Sequence, residues 1–408
     1  MRSSSKLSRE GSAAAVPMRI GVDATAWQNN RGYGRHARAL LSALVRLYPE
    51  HRYRFFLDCD EMRETLPAGI EVRRLQATAP AAVAAAANGR RSLSDMFRMG
   101  RALSGEELDL VLFPTIYSYV PVFTKAKKLV IIHDVIAEKF PELTLPNRVS
   151  RLFWNLKVAL GRWQADGIVT VSEYSKRCLV EHFGLDPESV FVAGEASDAV
   201  FRRLESPQLP KQFTGLGLRD GQQYVVYVGG FSPHKNLFEL TDAFAALRAE
   251  FPEARLVMVG EFRKEVFHSY FGEVRARVES LGIADRVIFP GYVADADLAP
   301  LLNLSSVLVL PSLMEGFGLP AVEAAACGCP VIATKESPLP DLLGEGGLYI
   351  DPAKGQLEGM LRIVLGSESR REKMRKAAVE AAGRLSWDAA AHQLMDAIRK
   401  VVTPCRAR

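Results

Sequence analysis

The chain predicts an α/β protein built from two doubly wound parallel sheets, and three observations carry that prediction. Its 408 residues exceed what one hydrophobic core usually serves, while 48% hydrophobic and 24% charged residues is ordinary globular composition. From Met18 onward, short apolar runs alternate with segments of helical spacing, the pattern of parallel strands joined by crossover helices. The alternation occurs twice, on either side of a stretch containing Pro and Gly, so two Rossmann-like domains facing a central cleft follow.

Taken in order, the opening MRSSSKLSREGSAAAVP has Ser/Ala and basic character but no apolar run long enough for a signal-peptide core, so 1–17 is expected to be a disordered extension. The first domain is expected over 18–204. Its strands are read at "MRIGVDA", "YRFFLD", "LDLVLFP", "KLVIIHD", "GIVTVS" and "SVFVAG", with helices from Arg35 to Leu47 and from Asn147 to Gln164. Residues 205–221, within "FRRLESPQLPKQFTGLGLRDG", read as a linker. The second domain, 222–386, has strands at "QYVVYVG", "RLVMVG", "RVIFPG", "SVLVLPS" and "PVIAT". Ligands of such sheets bind at the carboxyl ends of the strands, here in the cleft between the domains.

Charge and cysteine usage narrow the function classes. A net charge of +5 suits a phosphorylated ligand or an acidic membrane surface but is too weak to imply nucleic acid. Cys59, Cys178, Cys327, Cys329 and Cys405 are scattered and odd in number, which reads as reduced thiols of a cytoplasmic protein. Cys327 and Cys329 are expected to pack as small apolar residues at a helix end. No stretch approaches a membrane span, so the chain is expected to be soluble or peripheral.

The chemistry concentrates in "PSLMEGFGLPAVEAAACGCPVIAT", residues 311–334, which reads as a strand end, a glycine turn, a short helix and another strand. Pro320 fits the first helical position and Gly328 the stop after it. Gly316 and Gly318 let backbone amides approach a ligand at the positive end of the helix dipole, a seat for a diphosphate. Lys235 faces that seat from the loop Gly229-Gly230-Phe231-Ser232-Pro233-His234-Lys235-Asn236, which is not a G-x-x-x-x-G-K-[ST] loop. Glu315 and Glu323 would repel phosphate. Their chemistry must then be acceptance of hydrogen bonds from hydroxyls on either side of it, a sugar and a ribose, and that combination describes a nucleotide sugar.

Glu315 and Glu323, with seven residues between them, also match the E-x7-E motif, and the chain resembles retaining glycosyltransferases of family 4. "GYGRHARALLSAL" looks like that family's glycine-rich first loop and helix, "IIHDVIAEKFP" like its histidine-aspartate segment, "VSEYSKRCL" like its Ser-x-x-Ser segment and "YVGGFSPHKNL" like its lysine loop. The resemblance covers Met18 to about Val402 and implies a GT-B fold, with the donor held mostly by the second domain and a last helix, 387–402, crossing back to the first. It implies catalytic roles for His133 beside the sugar, Glu315 on the sugar hydroxyls and Lys235 on the diphosphate, with Glu323 on the ribose. Gly229, Gly230, Gly316, Phe317, Gly318 and Leu319 would complete the donor seat, and the Gly32 to Gly34 loop would close on the phosphates. Many relatives carry an arginine where this chain has Gly230, so phosphate charge falls to Lys235, the helix end and Arg35. The implied reaction retains anomeric configuration with no protein nucleophile, no metal and no cofactor beyond the donor. Similarity to bacterial O-antigen and exopolysaccharide mannosyltransferases points to GDP-mannose and a glycan or lipid-linked acceptor. UDP-glucose or another UDP-hexose is the alternative donor, and a nucleotide-sugar epimerase or hydrolase the alternative class.

Competing motifs carry less. "GYGRHA" fits G-x-G-x-x-A with Asp58 and Asp60 beyond it, but "TAWQNNR" separates the first strand from these glycines, too long for a dinucleotide-binding turn. "DAD" at 295–297 resembles a metal-binding D-x-D, though before "LAPLLNLS" it is more simply a helix N-cap. The basic, apolar segments 90–103 and 148–164 suit contact with the inner membrane surface or a lipid-linked acceptor, or else are amphipathic crossover helices with solvated basic faces.

Overall fold

The structure is a computed structural model describing residues 16–29, 32–59, 62–77, 92–145, 147–262 and 269–403. The predicted extension up to residue 15, Asp60, Cys405 and residues 90–91 of the first basic segment lie outside the described residues. The first sheet holds β1 (Arg19–Asp23), β2 (Arg52–Leu57), β3 (Glu71–Arg74), β4 (Leu110–Phe113), β5 (Lys127–Ile131), β6 (Gly167–Thr170) and β7 (Val190–Val192), in the order β3-β2-β1-β4-β5-β6-β7. The second holds β8 (Tyr224–Val228), β9 (Arg255–Val259), β10 (Val287–Gly291), β11 (Val307–Leu310), β12 (Val331–Thr334) and β13 (Gly347–Ile350), in the order β10-β9-β8-β11-β12-β13. All pairings are parallel. Runs such as Leu110–Phe113 and Val307–Leu310 are buried along their whole length, because helices cover both sheet faces. Strand order reverses beside β1 and beside β8, and the loops leaving these switch points part to form a crevice.

Two edge strands escape the sequence reading. β3, "EVRR", is mostly exposed and has no apolar run to announce it, and β13, "GLYI", is short. Backbone pairing to Arg54–Leu57 and Val331–Thr334 makes them strands.

The stretch 205–221 is not the free linker that its Pro and Gly content suggests. Leu209, Phe213 and Leu218 are buried in the second sheet's core, and Gly217 and Gly221 take positive φ in tight turns. The chain crosses earlier. Ala193 belongs to the first core and Phe201 to the second, so 194–200 carries the crossing. It returns at Ser386, whose hydroxyl caps the helix Trp387–Val402 by accepting from Ala389 N. That helix packs Leu394, Met395 and Ile398 against Leu40, Leu44 and Ile20, and its exposed side pairs Asp388 with Arg46.

The helix Arg148–Gln164 reverses the usual burial. Of its seventeen residues only Val158 and Gly161 are buried, while Val149, Leu152, Phe153, Leu156 and Trp163 (77% exposed) face outward. The missing side chain at Gly161 lets the backbone approach Ile116, where a Cβ would come within 2.6 Å of Ile116 Cδ1. Leu93, Phe97 and Phe123 are also exposed. Among the described residues, no helix is long and apolar enough to cross a membrane.

Because Leu394 joins the last helix to the first sheet's core, Leu394→Ala should cost about 2–5 kcal/mol, a transfer term plus a cavity term. Urea denaturation followed by circular dichroism should show a lower midpoint than wild type. An unchanged midpoint would mean that the returning helix adds nothing to the first domain.

Candidate functional site

The site is built at the carboxyl ends of β5, β8 and β11, where three loops meet across the crevice. After β11, Ser312, Glu315 and Gly316 lead into the helix Leu319–Ala326. Gly318 is its N-cap with φ 85°, a left-handed conformation that a side chain would strain, so the backbone turns sharply; Pro320 has no N–H and Ala321 N donates to Gly318 O at 2.9 Å, which leaves Leu319 as the first-turn N–H without a partner in its own helix. Pro320 stands at the second helical position rather than the first, and Gly328, φ 74°, follows the end of the helix at Cys327. Cys327 and Cys329 are buried, and burial raises both thiols above their ordinary range, the Cys327 thiol to about 12, so they pack as apolar groups.

Gly316 is a point of close contact between the two halves of the molecule. A Cβ there would lie 2.9 Å from both Asp134 Cβ and the His133 carbonyl oxygen. Its own carbonyl accepts from Ser172 Oγ at 2.8 Å and from Ser175 Oγ at 2.9 Å. Ser172 also caps the helix Glu173–Phe183, accepting from Ser175 N. The Ser-x-x-Ser segment thus grips the glycine turn from the first domain, and Tyr174 Oη donates to Glu336 Oε2 beside it at 3.1 Å.

Lys235 ends the single-turn helix Pro233–Lys235, with Asn236 in the left-handed region at φ 54°. Its Nζ donates to Glu315 Oε1 at 2.7 Å, and Ser312 Oγ donates to the same oxygen at 2.6 Å. Burial pushes the Glu315 carboxyl up, but the Lys235 charge and these hydrogen bonds outweigh it and hold the group below its ordinary value. The group is a carboxylate. Gly230 O accepts from Tyr227 Oη at 2.5 Å, which ties the lysine loop to the sheet.

Glu323 is 1% exposed, and its Oε1 accepts from Arg35 Nη2 at 2.5 Å. Arg35 also reaches Asp295 Oδ2 at 3.2 Å, so one guanidinium from the first domain bridges two acids of the second. Burial, reinforced by Asp295 and Asp198, pushes the Glu323 carboxyl up, and the Arg35 guanidinium at 2.5 Å opposes that rise and pairs with it as a carboxylate. The guanidinium expected to face phosphate is engaged by carboxylates. Gly32 and Gly34, read as a loop, form the first turn of the helix Gly32–Leu47, and Gly34 is pressed against Asn29, where a Cβ would lie 1.8 Å from the carbonyl oxygen. Asp295 and Asp297 are not N-caps either, since Ala294 holds that place and both acids lie in the first turn. Asp297 accepts from Gln212 at 2.9 Å.

His133 follows β5. Its Nε2 lies 3.2 Å from His36 Nδ1, and burial lowers its pKa to about 4. His36 and Glu195 were not singled out from sequence, yet they sit here, with His36 Nε2 3.9 Å from Glu195 Oε1. The signal was available for Glu195, an acid just past the end of a parallel strand like Glu315. Among the described residues, His36, His133 and Glu195 are the group of donor atoms, all within 4.8 Å, nearest to a metal-ligand set. Both rings already share a hydrogen bond, so one ring nitrogen carries a proton where a metal would need a lone pair.

Comparison with known proteins gives the same direction for both halves. Residues 30–194 match Glycosyltransferase Family 4, and residues 210–381 match glycosyl transferases group 1. The chain is 31% identical over 242 residues to D-inositol 3-phosphate glycosyltransferase of Segniliparus rotundus, covering 58% of this chain and 52% of that protein. It is 24% identical over 411 residues to serotype-specific mannosyltransferase WbdA of Escherichia coli, covering 94% of this chain and 48% of that protein. The chain therefore spans about half the length of these curated relatives. The solved structure of Anabaena HepE with UDP and glucose superposes with a TM-score of 0.70 at 19% identity, covering 93% of this chain and 99% of that one, a likeness of fold. With two parallel α/β sheets, a last helix returning to the first, and the E-x7-E pair at the crevice, the chain has the GT-B fold and belongs to glycosyltransferase family 4.

Proposed function

We propose that this protein transfers a hexosyl group from a nucleotide sugar to a glycan or lipid-linked acceptor with retention of configuration. The observation that carries the reading is the convergence of the Lys235 ammonium and the Glu315 carboxylate, 2.7 Å apart, at the open N-terminus of the helix Leu319–Ala326. A diphosphate at that helix end takes Lys235 from Glu315 as its own counter-charge, and Glu315 turns to the hydroxyls of the transferred sugar. Glu323 accepts from the ribose after Arg35 leaves it for the phosphates. Departure of the diphosphate builds positive charge on the sugar ring, which the Glu315 carboxylate favours while the helix end and the cations favour the leaving group. No step in this scheme uses a metal ion. The segments 194–200 and Ser386 would serve as hinges for closure of the cleft.

GDP-mannose is the donor we propose, supported by the match to WbdA along nearly the whole chain. UDP-glucose is the second reading, supported by the complex of HepE with UDP and glucose. For the acceptor side we propose a cytoplasmic protein lying on the inner membrane surface through the outward face of the helix Arg148–Gln164, which presents five exposed apolar residues with Arg148 exposed at its start and no acid within the helix.

Acceptor-dependent release of nucleoside diphosphate should accompany transfer and should survive chelation of divalent ions. Conversion of the sugar without that release would make the protein an epimerase, and strict dependence on an added-back metal would remove the metal-free scheme. A thermal-shift comparison should show a larger stabilisation by GDP-mannose than by UDP-glucose, and the reverse order would exchange the donors.

Glu315→Gln should lower kcat, because the amide does not favour charge developing on the ring. Glu323→Gln should instead raise the donor KM and weaken nucleoside diphosphate binding by roughly tenfold to a hundredfold, the loss of one charged hydrogen bond worth about 1.5–3 kcal/mol. Steady-state kinetics with calorimetric titration of both variants checks the split, and unchanged nucleotide affinity in Glu323→Gln would reduce that residue to a helix-end charge.

A further inference from the structure

A buried acid and two imidazoles stand in line behind the cleft. Glu195 lies in the segment that carries the chain from the first sheet to the second and is 7% exposed. His36, from the helix Gly32–Leu47, is 1% exposed, and its Nε2 has no hydrogen-bond partner, the Glu195 carboxyl being 3.9 Å away. Its Nδ1 is shared with His133 Nε2 at 3.2 Å, the two rings meeting edge to face. The far nitrogen of that second ring, His133 Nδ1, is again buried and unpartnered. Trp387 packs its indole edge against His36, 5.8 Å between ring centroids, and holds that ring in place.

We propose that Glu195 and His36 are positioning residues that set which tautomer His133 presents to the transferred sugar. A hydrogen-bonded line of this kind has two polarities. With Glu195 neutral, its O–H donates to His36 Nε2, His36 Nδ1–H donates to His133 Nε2, and His133 Nδ1–H is left as a donor. With Glu195 ionised, His36 Nε2–H donates to the carboxylate, His133 Nε2–H donates to His36 Nδ1, and His133 Nδ1 is left as an acceptor. Passing from one form to the other moves one proton along each link and releases one from the line, so the balance closes without any other reactant. Forming the Glu195 link requires the carboxyl to turn toward His36 Nε2, from which it stands 3.9 Å away.

The charges around Glu195 decide which polarity prevails. Glu323 faces it from the helix Leu319–Ala326, Asp134 from the loop after β5, and Arg35 from the helix that carries His36. Burial first, then the Glu323 and Asp134 charges, raise the Glu195 carboxyl to about 8 against the pull of Arg35. Burial likewise keeps both imidazoles neutral. At neutral pH the line therefore runs outward, and His133 carries its proton on Nδ1, a buried atom that meets a sugar hydroxyl once donor binding moves the cleft wall around it. Above pH 8 it runs inward and the donor is lost.

The inference rests on the reading of His133 as a sugar contact, and its first test does not need that reading. Nitrogen NMR of histidine-labelled protein, titrated from about pH 6 to about pH 10, reports which ring nitrogen carries the proton. His36 and His133 should exchange tautomers together, with one inflection near 8. Glu195→Gln, which has no proton to lose over this range, should leave the tautomers of both rings independent of pH. Independent titration of the rings would overturn the line, as would the wild-type inflection persisting in Glu195→Gln, which would place it on Glu323. One-for-one zinc binding abolished by Glu195→Gln would overturn it too, by making the group a metal site. In kinetics, wild-type kcat should fall above pH 8 while Glu195→Gln keeps its kcat, and Glu195→Leu should lose about tenfold in kcat with little change in donor KM. If the rings exchange as described while kcat ignores both variants, the line stands and the role of His133 at the sugar falls.

Discussion

The cleft depends on one constraint: carboxylates have been placed where a helix end and the burial around it leave them almost no water, and each must be balanced from nearby. Glu315 is balanced from its own domain, by Lys235 and Ser312 on a single oxygen. Glu323 is balanced from across the cleft, by Arg35. Breaking a buried pair by removing one partner typically costs about 3–5 kcal/mol, because the remaining charge has nowhere to go. Neither cation can therefore leave without another positive or hydrogen-bonding group taking its place. A ligand that supplies hydroxyl donors to the acids and negative charge to the cations exchanges all these contacts at once.

The exchange requires that the two halves of the molecule meet at a fixed height, and the Gly316 turn sets it. Ser172 and Ser175 hold the Gly316 carbonyl from the first domain, and the absent side chain allows the approach to His133 and Asp134. An alanine there would push on the His133 backbone and displace the ring that belongs to the opposite wall. The turn that orients Glu315 is thus the same turn that registers His133 against it. The crossings at 194–200 and at Ser386 bear on this contact, since Glu195 is carried on one of them and Trp387 follows the other.

Much of this was legible in the amino-acid sequence because parallel strands buried on both faces announce themselves as unbroken apolar runs. Edge strands have no such duty, which is why "EVRR" gave no signal. The site was legible where chemistry is local: Glu315, Gly316, Gly318 and Glu323 lie within nine residues of one another and share one turn and one helix. It was not legible where the chemistry is made by crossing, as in Arg35 with Glu323, 288 residues apart, or His36 with Glu195. The stretch 205–221 misled for a related reason, since Pro and Gly mark turns as readily as tethers and only the burial of Phe213 and Leu218 tells the two apart.

The helix Arg148–Gln164 shows the limit of periodicity as a guide to which side is in. Its apolar residues recur at helical spacing, which on a crossover helix would normally mean the face packed on the sheet. Here Gly161 and Val158 make the inward contact, while Phe153 and Trp163 face out beside cations. An exposed apolar stripe of this length is costly in water, and aromatic residues with arginines are the composition of an interface between water and lipid. Because the helix belongs to the domain that carries His133 and Arg35, an acceptor presented at that interface would reach the cleft from the wall opposite Glu315 and Glu323. On the proposed function the donor seat and the acceptor approach would occupy separate domains, and side chains that cross between them, Arg35 among them, would be the ones through which occupancy of one is felt at the other.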